Sequence, residues 1–307
     1  MTRERFTIVG LGEALFDLFP ESQRLGGAPL NVAVHAHQLA QVRQGRGVVV
    51  SRVGQDDLGQ TLTDELKERG LSIDFIQTDP DRPTGTVYVD LDDQGQPSFD
   101  IVQNVAWDVL SFDFDLEDLA RTCAAVCFGT LAQRDAQARN TIYRFLDTAR
   151  HAIRLFDVNL RQDFHDARIL RRSCELATLL KLNAAELPIV ASQLHLFVDG
   201  DEPDALVAAL MKQFDFDMVV LTRGKQGTRL YTSQGTVDGE PADYPAAEGA
   251  DAVGCGDAVS AAVLVGRVLR MPAQRIANLA NHVGAYVASQ PGATPTLPAE
   301  VLARVKG

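Results

Sequence analysis

Between residues 124 and 222, short apolar runs alternate with longer amphipathic stretches, and this alternation constrains the fold more than any other feature. The apolar runs predict strands at residues 124–128, 154–158, 179–182 and 218–222. The stretches between them predict helices at residues 134–150, 170–177 and 205–214. Strands that alternate with helices form a mostly parallel sheet with helices on both faces. The sequence therefore predicts an α/β fold, and ligands of such folds bind outside the carboxyl ends of the strands.

The first hundred residues add a second, smaller set of strands to this pattern. Further strands are predicted at residues 6–10, 16–18, 48–51, 84–91 and 98–102, and a helix at residues 56–69. Residues 84–91 and 98–102 alternate polar and apolar side chains around a turn at 92–95, which is typical of a hairpin. Such a hairpin, lying away from the main sheet, would serve as a lid or as the surface of a homodimer. We find no repeat or linker, so we expect one domain over residues 1–307.

The charge balance limits the partners that such a domain can bind. The chain carries 29 Lys and Arg against 41 Asp and Glu, which gives a net charge of −12. This excess of negative charge argues against nucleic acid and anionic membrane as partners, and it requires any phosphate site to be built locally. The sequence shows neither a signal-peptide pattern nor an apolar run long enough for a membrane span, so we expect a cytoplasmic protein. The 4 cysteines favour core packing over disulfides.

The segment Asp251-Ala-Val-Gly-Cys-Gly-Asp257 precedes an apolar run over residues 258–269 that predicts a buried helix. Its glycines would place free backbone N–H groups at the helix N-terminus, where the helix dipole favours an anion. Asp257 lies in the first turn, beside that anion site, and a carboxylate next to a developing negative charge is electrostatically costly. One interpretation is a general base that takes a proton from a hydroxyl while the N–H groups hold a phosphoryl group. The alternative is an ordinary glycine turn in which Asp257 only favours the helix start.

Polar residues follow three of the predicted strands at the point where each strand ends. They are Asp157, Asn159 and Arg161, then Asn183 and Glu186, and finally Thr222, Gly224 and Gly227. Because the carboxyl ends of parallel strands meet at one edge of a sheet, we expect these residues to lie near one another and near Asp257. A random surface would not bring three such sets together, so this edge is the predicted site.

These residue types suit the binding of ATP with Mg²⁺. Asn183 and Glu186 are one helical turn apart and would hold a hydrated Mg²⁺, since this ion keeps several waters and takes few protein oxygens. Arg161 would neutralise charge on the phosphoryl group in transfer. Thr222 and the two glycines that follow it would bring the backbone against the phosphates of a nucleotide. The sequence contains no Walker A loop.

Three further positions are candidates for contact with a substrate. The segment Gly26-Gly-Ala-Pro-Leu-Asn31 predicts a helix start. Asn31 would lie in its first turn, either as a cap or as a contact to a substrate hydroxyl. Gln103 and Asn104 follow the second strand of the hairpin, where they would either turn toward the substrate or be solvated loop residues.

Taken together, these motifs resemble the signatures of the ribokinase-type (PfkB) carbohydrate kinases, and the resemblance covers nearly the whole chain. Residues 251–257 are similar to the C-terminal signature D-T-x-G-A-G-D. They depart from it at Ala252, which loses a hydroxyl, and at Cys255, which keeps its backbone N–H. The N-terminal sugar-binding signature is similar to residues 26–33, and the intermediate motifs fit residues 157–161, 181–186 and 222–227 in the right order.

The resemblance implies an ATP-dependent kinase that phosphorylates a primary hydroxyl of a monosaccharide. Within the family, the similarity is greatest to bacterial fructokinases, on the cues Gly12-Glu13 with Asp17, Gly26-Gly-Ala-Pro29 and Phe128-Gly-Thr-Leu131. The family fold implied is a Rossmann-like, ribokinase-like core with a small β lid. That lid would be formed by residues near 13–25 and 84–106.

Carried over by position, the resemblance also implies roles for individual residues. Asp257 would be the base, and the anion hole would be formed by the backbone of Gly254, Cys255 and Gly256. The sugar hydroxyls would be bound by Asp17, Gly27 and Asn31. Asn183 and Glu186 would organise Mg²⁺, and Asn281 would lie near adenine. A monovalent cation such as K⁺ would involve Asp251 and Val253, together with residues 289–292.

Two alternatives stay open at the level of the sequence. The first is another kinase of the same family, acting on 2-keto-3-deoxygluconate, ribose or a nucleoside. Aromatic residues make up only 7% of the chain, which argues mildly against a nucleoside base that needs stacking. The second is a non-catalytic member that binds sugar or nucleotide as a sensor or scaffold. The departures at Ala252 and Cys255 favour it, while the intact Asp257, Asn183 and Glu186 oppose it.

Overall fold

The computed structural model describes residues 6–91, 97–196, 198 and 202–306. In chain order its elements are β1 (Thr7–Leu11), β2 (Leu15–Phe19), β3 (Ser22–Gly26), α1 (Ala28–Gln41), β4 (Arg46–Gly54), α2 (Asp57–Glu68), β5 (Ile76–Asp79), β6 (Gly85–Leu91), β7 (Pro97–Ile101), α3 (Phe114–Thr122), β8 (Ala125–Phe128), α4 (Ala136–Thr148), β9 (Ile153–Asp157), α5 (Ala167–Leu176), β10 (Leu179–Asn183), α6 (Glu186–Gln193), α7 (Pro203–Phe214), β11 (Met218–Thr222), β12 (Thr228–Thr232), β13 (Gly235–Asp238), α8 (Cys255–Val268), α9 (Ala273–Ala288) and α10 (Ala299–Ala303).

The larger of two sheets has the strand order β13-β12-β11-β10-β9-β8-β1-β4-β5 among the described residues. Its strands are parallel from β11 through to β5, and only β12 and β13 are antiparallel to their neighbours. The predicted α/β fold with a mostly parallel sheet is therefore confirmed. In this register Lys181 lies beside Asp157, and Asn183 lies beside Thr222.

Helices cover both faces of this sheet, and the side chains of successive strand residues pack into two hydrophobic clusters, one on each face. Along β10, Leu180 packs into a cluster that includes Phe145 of α4 and Leu210 of α7. Its neighbour Leu179 packs on the other face, in a cluster that includes residues of α1, α8 and α9, among them Val263. Because successive side chains point to opposite faces of a strand, burial on both faces explains why these strands are continuous apolar runs.

The second sheet has the order β3-β2-β6-β7 among the described residues. β2 and β6 are parallel, and each has an antiparallel outer neighbour. The two strands of the predicted hairpin are thus confirmed as β6 and β7, while the turn at 92–95 lies outside the described residues. The sequence did not indicate β3, because Ser22, Gln23 and Arg24 form a short polar run that is exposed at the edge of the sheet.

Helix α8 begins at the glycine turn, as predicted. Gly254 is its N-cap with φ 76°, and a Cβ at this position would lie 2.4 Å from the carbonyl oxygen of Ala293. Only glycine fits this combination of a left-handed backbone and a close backbone neighbour. Residues 257–266 are all buried, which fits the apolar run. α8 packs against α1 on one side and α9 on another, so the start of α8 is fixed relative to the large sheet.

The predicted alternation of strands and helices agrees with the observed elements, with differences at the ends. The helix predicted from residue 134 begins at Ala136, because residues 131–133 form a short 3₁₀ turn. Besides β3, the elements that were not predicted are β5, β12, β13, α3, α6, α9 and α10. Cys123 and Cys127 are buried and free, as expected for core residues. Among the described residues, no helix combines the length and apolar character that a membrane span requires.

Candidate active site

A cavity of about 1250 Å³ lies between the second sheet and the carboxyl ends of β9, β10 and β11. The start of α8 forms another part of its wall. All of the site residues named individually from the sequence line this cavity except Gln103, Asn104, Asp157, Glu186 and Asp251. The expected convergence of strand ends on Asp257 is therefore present in the structure.

Asp257 is a buried carboxylate at the wall of the cavity, with 8% of its surface exposed. The side-chain amide of Asn31 donates a hydrogen bond of 2.8 Å to its Oδ2. Burial, and then the negative charge of Asp157, raise the pKa of Asp257 to about 6, although Lys181, Asn31 and Arg161 act in the opposite direction. A carboxyl group that titrates near neutral pH is suited to accept a proton.

Asn31 does not cap its helix, so that alternative is wrong. The N-cap of α1 is Gly27, and Asn31 lies one turn further in. Its backbone N–H donates to the carbonyl of Gly27 at 2.9 Å, while its side chain reaches Asp257. The Oδ1 of Asn31 is buried and has no hydrogen-bond partner within the described residues. This oxygen is a free acceptor in a residue that lines the cavity.

The predicted anion site is the first turn of α8, where Gly254, Cys255 and Gly256 line the cavity. The first N–H groups of a helix have no intrahelical acceptor, so this turn presents donors. The N–H of Cys255 has only a long contact of 3.4 Å, to the carbonyl of Ala252. Burial raises the pKa of the Cys255 thiol, so the side chain stays neutral and adds no negative charge to the anion site.

Behind this turn lies a buried ion pair between Asp157, one of the predicted strand-end residues, and Lys181, which was not predicted as a site residue. Nζ of Lys181 forms an ion pair with Asp157, at 2.9 Å from Oδ1 and 3.0 Å from Oδ2. Ser260 donates a hydrogen bond of 2.7 Å to Oδ2 of the same carboxylate. The signal for this group is Lys181 itself, because a lysine inside an apolar buried strand requires a charged partner.

Two further acids line the cavity near the second sheet. Burial raises the pKa of Asp17 to about 6, although Arg161 and Arg24 act in the opposite direction. Glu13 is only 3% exposed, and burial raises its pKa to about 7. Its Oε2 is buried without a hydrogen-bond partner among the described residues. From the sequence, Glu13 was a cue of the family resemblance only. The signal that would have selected it is an acid two residues after the end of an apolar strand, since β1 ends at Leu11.

Asn183 and Glu186 use their side chains to hold the backbone at the sheet edge. Oδ1 of Asn183 accepts hydrogen bonds of 2.9 Å from the N–H groups of Ala185 and Glu186. Glu186 accepts a bond of 2.9 Å from the N–H of Leu160 through Oε1, and one of 2.8 Å from the N–H of Asn183 through Oε2. Each carboxylate oxygen keeps one lone pair free, which suits contact with a hydrated ion. In the described parts of the chain, no group of 3 or more His, Cys, Asp or Glu is arranged to hold a metal directly.

The loop after β11 forms the predicted nucleotide side of the cavity. Gly224 has φ 55° and Gly227 has φ 75°, which keeps the loop tight after Thr222. The amide of Asn281 accepts from the N–H of Thr228 and donates to the carbonyl of Glu240, each at 2.8 Å. Asn281 thus fixes this wall of the cavity, since its amide is already hydrogen-bonded on both sides.

The residues predicted to hold a monovalent cation lie close together, but the Asp251 carboxylate already forms an ion pair with a guanidinium group. Arg24 of β3 lies 2.6 Å from Oδ2 of Asp251, and the N–H groups of Val253 and Gly292 also donate to Asp251. Gln103 and Asn104 are exposed and do not line the cavity. For these two residues the structure favours the alternative of a solvated loop.

A parallel α/β sheet whose carboxyl edge carries a glycine turn, a helix N-terminus and a buried carboxylate is suited to phosphoryl transfer. Residues 19–300 match the model of the pfkB family carbohydrate kinases. The chain belongs to this family and is a carbohydrate kinase.

Relatives and solved structures agree with this assignment. The chain is 30% identical to a fructokinase of Escherichia coli, over 94% of the chain and 95% of the relative. It is 26% identical to fructokinase-1 of Oryza sativa, over 96% and 95% respectively. A fructokinase structure with bound ATP from Xylella fastidiosa has a TM-score of 0.83 at 23% identity and 98% coverage of both chains. An aminoimidazole riboside kinase of Salmonella enterica, in complex with its riboside and an ATP analogue, has a TM-score of 0.78 at 22% identity and coverage of 98% and 100%. These structures show the same fold.

Proposed function

We propose that this carbohydrate kinase transfers the γ-phosphoryl group of ATP to a primary hydroxyl of fructose. The observation that carries the proposal is Asp257, a buried carboxyl group at the N-terminus of α8 that titrates near neutral pH and is oriented by Asn31. Support for fructose comes from relatives named fructokinases that align over nearly the whole chain.

In the proposed reaction, Asp257 accepts the proton of the sugar hydroxyl as its oxygen attacks the γ-phosphorus. A new P–O bond forms to the sugar, the P–O bond to the leaving ADP breaks, and the proton stays on the carboxyl group of Asp257. The N–H groups at the first turn of α8 and the guanidinium of Arg161 stabilise charge on the phosphoryl group in transfer. Arg161 lines the same cavity and interacts electrostatically with Asp257.

The sugar would lie between the start of α1 and the second sheet. Asp17 and Gly27 line this part of the cavity, and the unpartnered oxygens of Glu13 and Asn31 are acceptors for sugar hydroxyls. Buried acceptors without partners are costly, so a ligand that supplies O–H donors is stabilised there. We propose that the second sheet acts as the lid, because inward-facing residues such as Val87, Phe99 and Ile101 line the cavity and exclude water.

Mg·ATP would bind on the other side of the cavity, along the loop after β11. The free lone pairs of the Glu186 carboxylate fit a hydrated Mg²⁺, which would neutralise phosphate charge. Asn183 would contribute by holding the backbone around Glu186, because its Oδ1 already accepts two N–H hydrogen bonds. A monovalent cation would have to be held by the carbonyl oxygens of Asp251 and Val253, because Arg24 pairs with the Asp251 carboxylate. Adding and omitting K⁺ in the activity assay tests this requirement.

We further propose that two chains associate through the outer surface of the second sheet. Tyr88 of β6 is 51% exposed, and it lies beside Leu18, Phe19 and Pro20 in an open surface depression. The molar mass from light scattering, compared between the natural chain and Tyr88→Glu, tests this association. A cytoplasmic location of the enzyme stays a prediction.

The test of the proposed function is ATP consumption with Mg²⁺ against fructose, 2-keto-3-deoxygluconate, ribose and a nucleoside. We expect the highest kcat/KM with fructose. Asp257→Asn should keep ATP binding and lose turnover by several orders of magnitude, because the base and its positioning are both removed. A higher kcat/KM with another acceptor would move the substrate but keep the chemistry. Turnover by Asp257→Asn near that of the natural chain would refute the assignment of the base.

A further inference from the structure

Lys181 is a buried ammonium group at the wall of the cavity that the proposed reaction does not use. It is 6% exposed, and its ion pair with Asp157 joins two neighbouring strands at the same level of the sheet. Ser260, one helical turn after Asp257 in α8, donates to the same carboxylate. The ammonium has three N–H donors, and the Asp157 carboxylate receives two of them. One donor direction is therefore left for the interior of the site.

Gly256 shows where that ammonium lies relative to the anion site. A Cβ built on Gly256 would be 3.0 Å from Nζ of Lys181, which is closer than a side-chain carbon normally packs. The absence of a side chain at residue 256 thus has two consequences. It exposes the backbone N–H groups of the turn, and it lets Lys181 approach the turn from behind.

The ammonium also lies within the electrostatic surroundings of Asp257. The groups that face Asp257 come from several elements: Glu13 after β1, Asn31 of α1, Cys127 of β8, Asp157 of β9, Arg161 after β9 and Lys181 of β10. Burial lowers the pKa of Lys181, but Asp157 and Asp257 raise it more, so the net pKa is above the usual lysine range and the group stays charged. Lys181 opposes, and Asp157 reinforces, the upward effect of burial on the pKa of Asp257.

Given the proposed role of Asp257 as the base, we propose that Lys181 is a positioning residue of the kinase reaction. Asp157 and Ser260 hold its ammonium behind the Gly254–Gly256 turn, where it keeps Asp257 ionised and ready to accept the hydroxyl proton. The same positive charge favours the phosphoryl group at the anion site. Asp157 acts in the opposite sense on Asp257 while it holds Lys181 in place.

Two substitutions with opposite expected effects test this role. Lys181→Gln removes the positive charge but keeps an N–H donor for Asp157, and Asp157→Asn removes the negative charge. We measure kcat/KM for the sugar from pH 5 to 9 at saturating Mg·ATP, because its acid limb then reports the base in the enzyme–Mg·ATP complex before the sugar binds. Lys181→Gln should move the acid limb up by about one pH unit, so that activity at pH 6 falls about tenfold relative to the plateau. Asp157→Asn should move it down by a similar amount.

A matched control is Arg134→Gln, which removes a cation from another deeply buried ion pair, with Asp108 at 2.8 Å. Its residues do not line the cavity, so its acid limb should stay in place even where the chain is less stable. The thermal unfolding transition of each variant shows whether it folds. If Lys181→Gln does not fold, the acid limb of Asp157→Asn, which should move down, still tests the role. Acid limbs that stay in place, or that move in one direction in both variants, would overturn the role of Lys181. Turnover by Asp257→Asn would instead overturn the base assignment, and the role of Lys181 with it.

Discussion

Gly254→Ala is the substitution for which the structure gives the sharpest expectation of a stability change. Gly254 has φ 76°, and a non-glycine residue in the left-handed region costs about 1–2 kcal/mol. The reduced freedom of the unfolded chain returns about 0.4–1 kcal/mol of this cost. The new Cβ would also lie 2.4 Å from the carbonyl oxygen and 2.8 Å from Cα of Ala293, and relieving such overpacking typically costs about 1–3 kcal/mol. The free energy of unfolding should therefore fall by about 2–4 kcal/mol.

Gly249→Ala is the matched control, because Gly249 has φ 73° but a Cβ there meets no atom within 4 Å in the described structure. It carries the backbone strain without the clash, so it should cost about 1 kcal/mol or less. Urea unfolding measures both variants, and steady-state kinetics measures KM for ATP. We expect KM for ATP to rise only in Gly254→Ala, since relief of the clash moves the N–H groups at the start of α8. Equal losses of stability in the two variants, with kinetics unchanged, would refute this reasoning.

Two further predictions concern residues near the second sheet. Burial raises the pKa of Glu13 to about 7, so the natural chain loses up to about 3 kcal/mol of its free energy of unfolding as the pH rises from about 4.5 to about 7. The Glu13→Gln variant has no such loss, and its stability relative to the natural chain should therefore increase across this window. Urea unfolding at pH 5 and pH 8 measures this difference, and a gap of the same size at both values contradicts it. Arg24→Ala should change the free energy of unfolding by less than about 1 kcal/mol, because the Arg24 and Asp251 side chains are 42% and 27% exposed. The KM of Arg24→Ala for the sugar should nevertheless rise severalfold, because the ion pair joins the second sheet to the loop before α8. The surface variant Arg168→Ala is the control. If the two variants have the same KM as the natural chain, the ion pair does not link the second sheet to the site.

The sequence predicted the large sheet well because its strands are buried on both faces. Residues 124–128, 154–158, 179–182 and 218–222 agree with β8, β9, β10 and β11 to within one or two residues at each end. The elements that were missed are those in which apolar and polar residues give little periodic pattern. α9 is rich in alanine, which gives little periodic signal, and β12 and β13 form an antiparallel extension at the edge of the sheet.

The candidate site was predictable to the extent that it follows from strand ends. Asp257, Arg161, Asn183 and Thr222 converge because parallel strands end at one edge. The pairing of side chains was not predictable in this way. Whether Asn31 caps a helix or holds Asp257 depends on the packing of α1 against α8, and whether Lys181 is a core residue or a site residue depends on the register of β10. Both partners are fixed by tertiary packing: a lysine in an apolar strand indicates that a charged partner exists, but not that the partner is Asp157.

The hydrogen bond between Asn31 and Asp257 joins residues that are 226 positions apart, and this separation has a consequence for synthesis. Translation at about 5–20 residues per second leaves about 10–45 s between the emergence of α1 and that of α8 from the ribosome. During that interval the apolar face of α1 that later packs on α8, including Val32, Ala36 and Leu39, has no native cover from α8. The nascent chain therefore passes through a stage in which it is most exposed to aggregation and to chaperone binding, and this stage ends only when its C-terminal fifth has emerged.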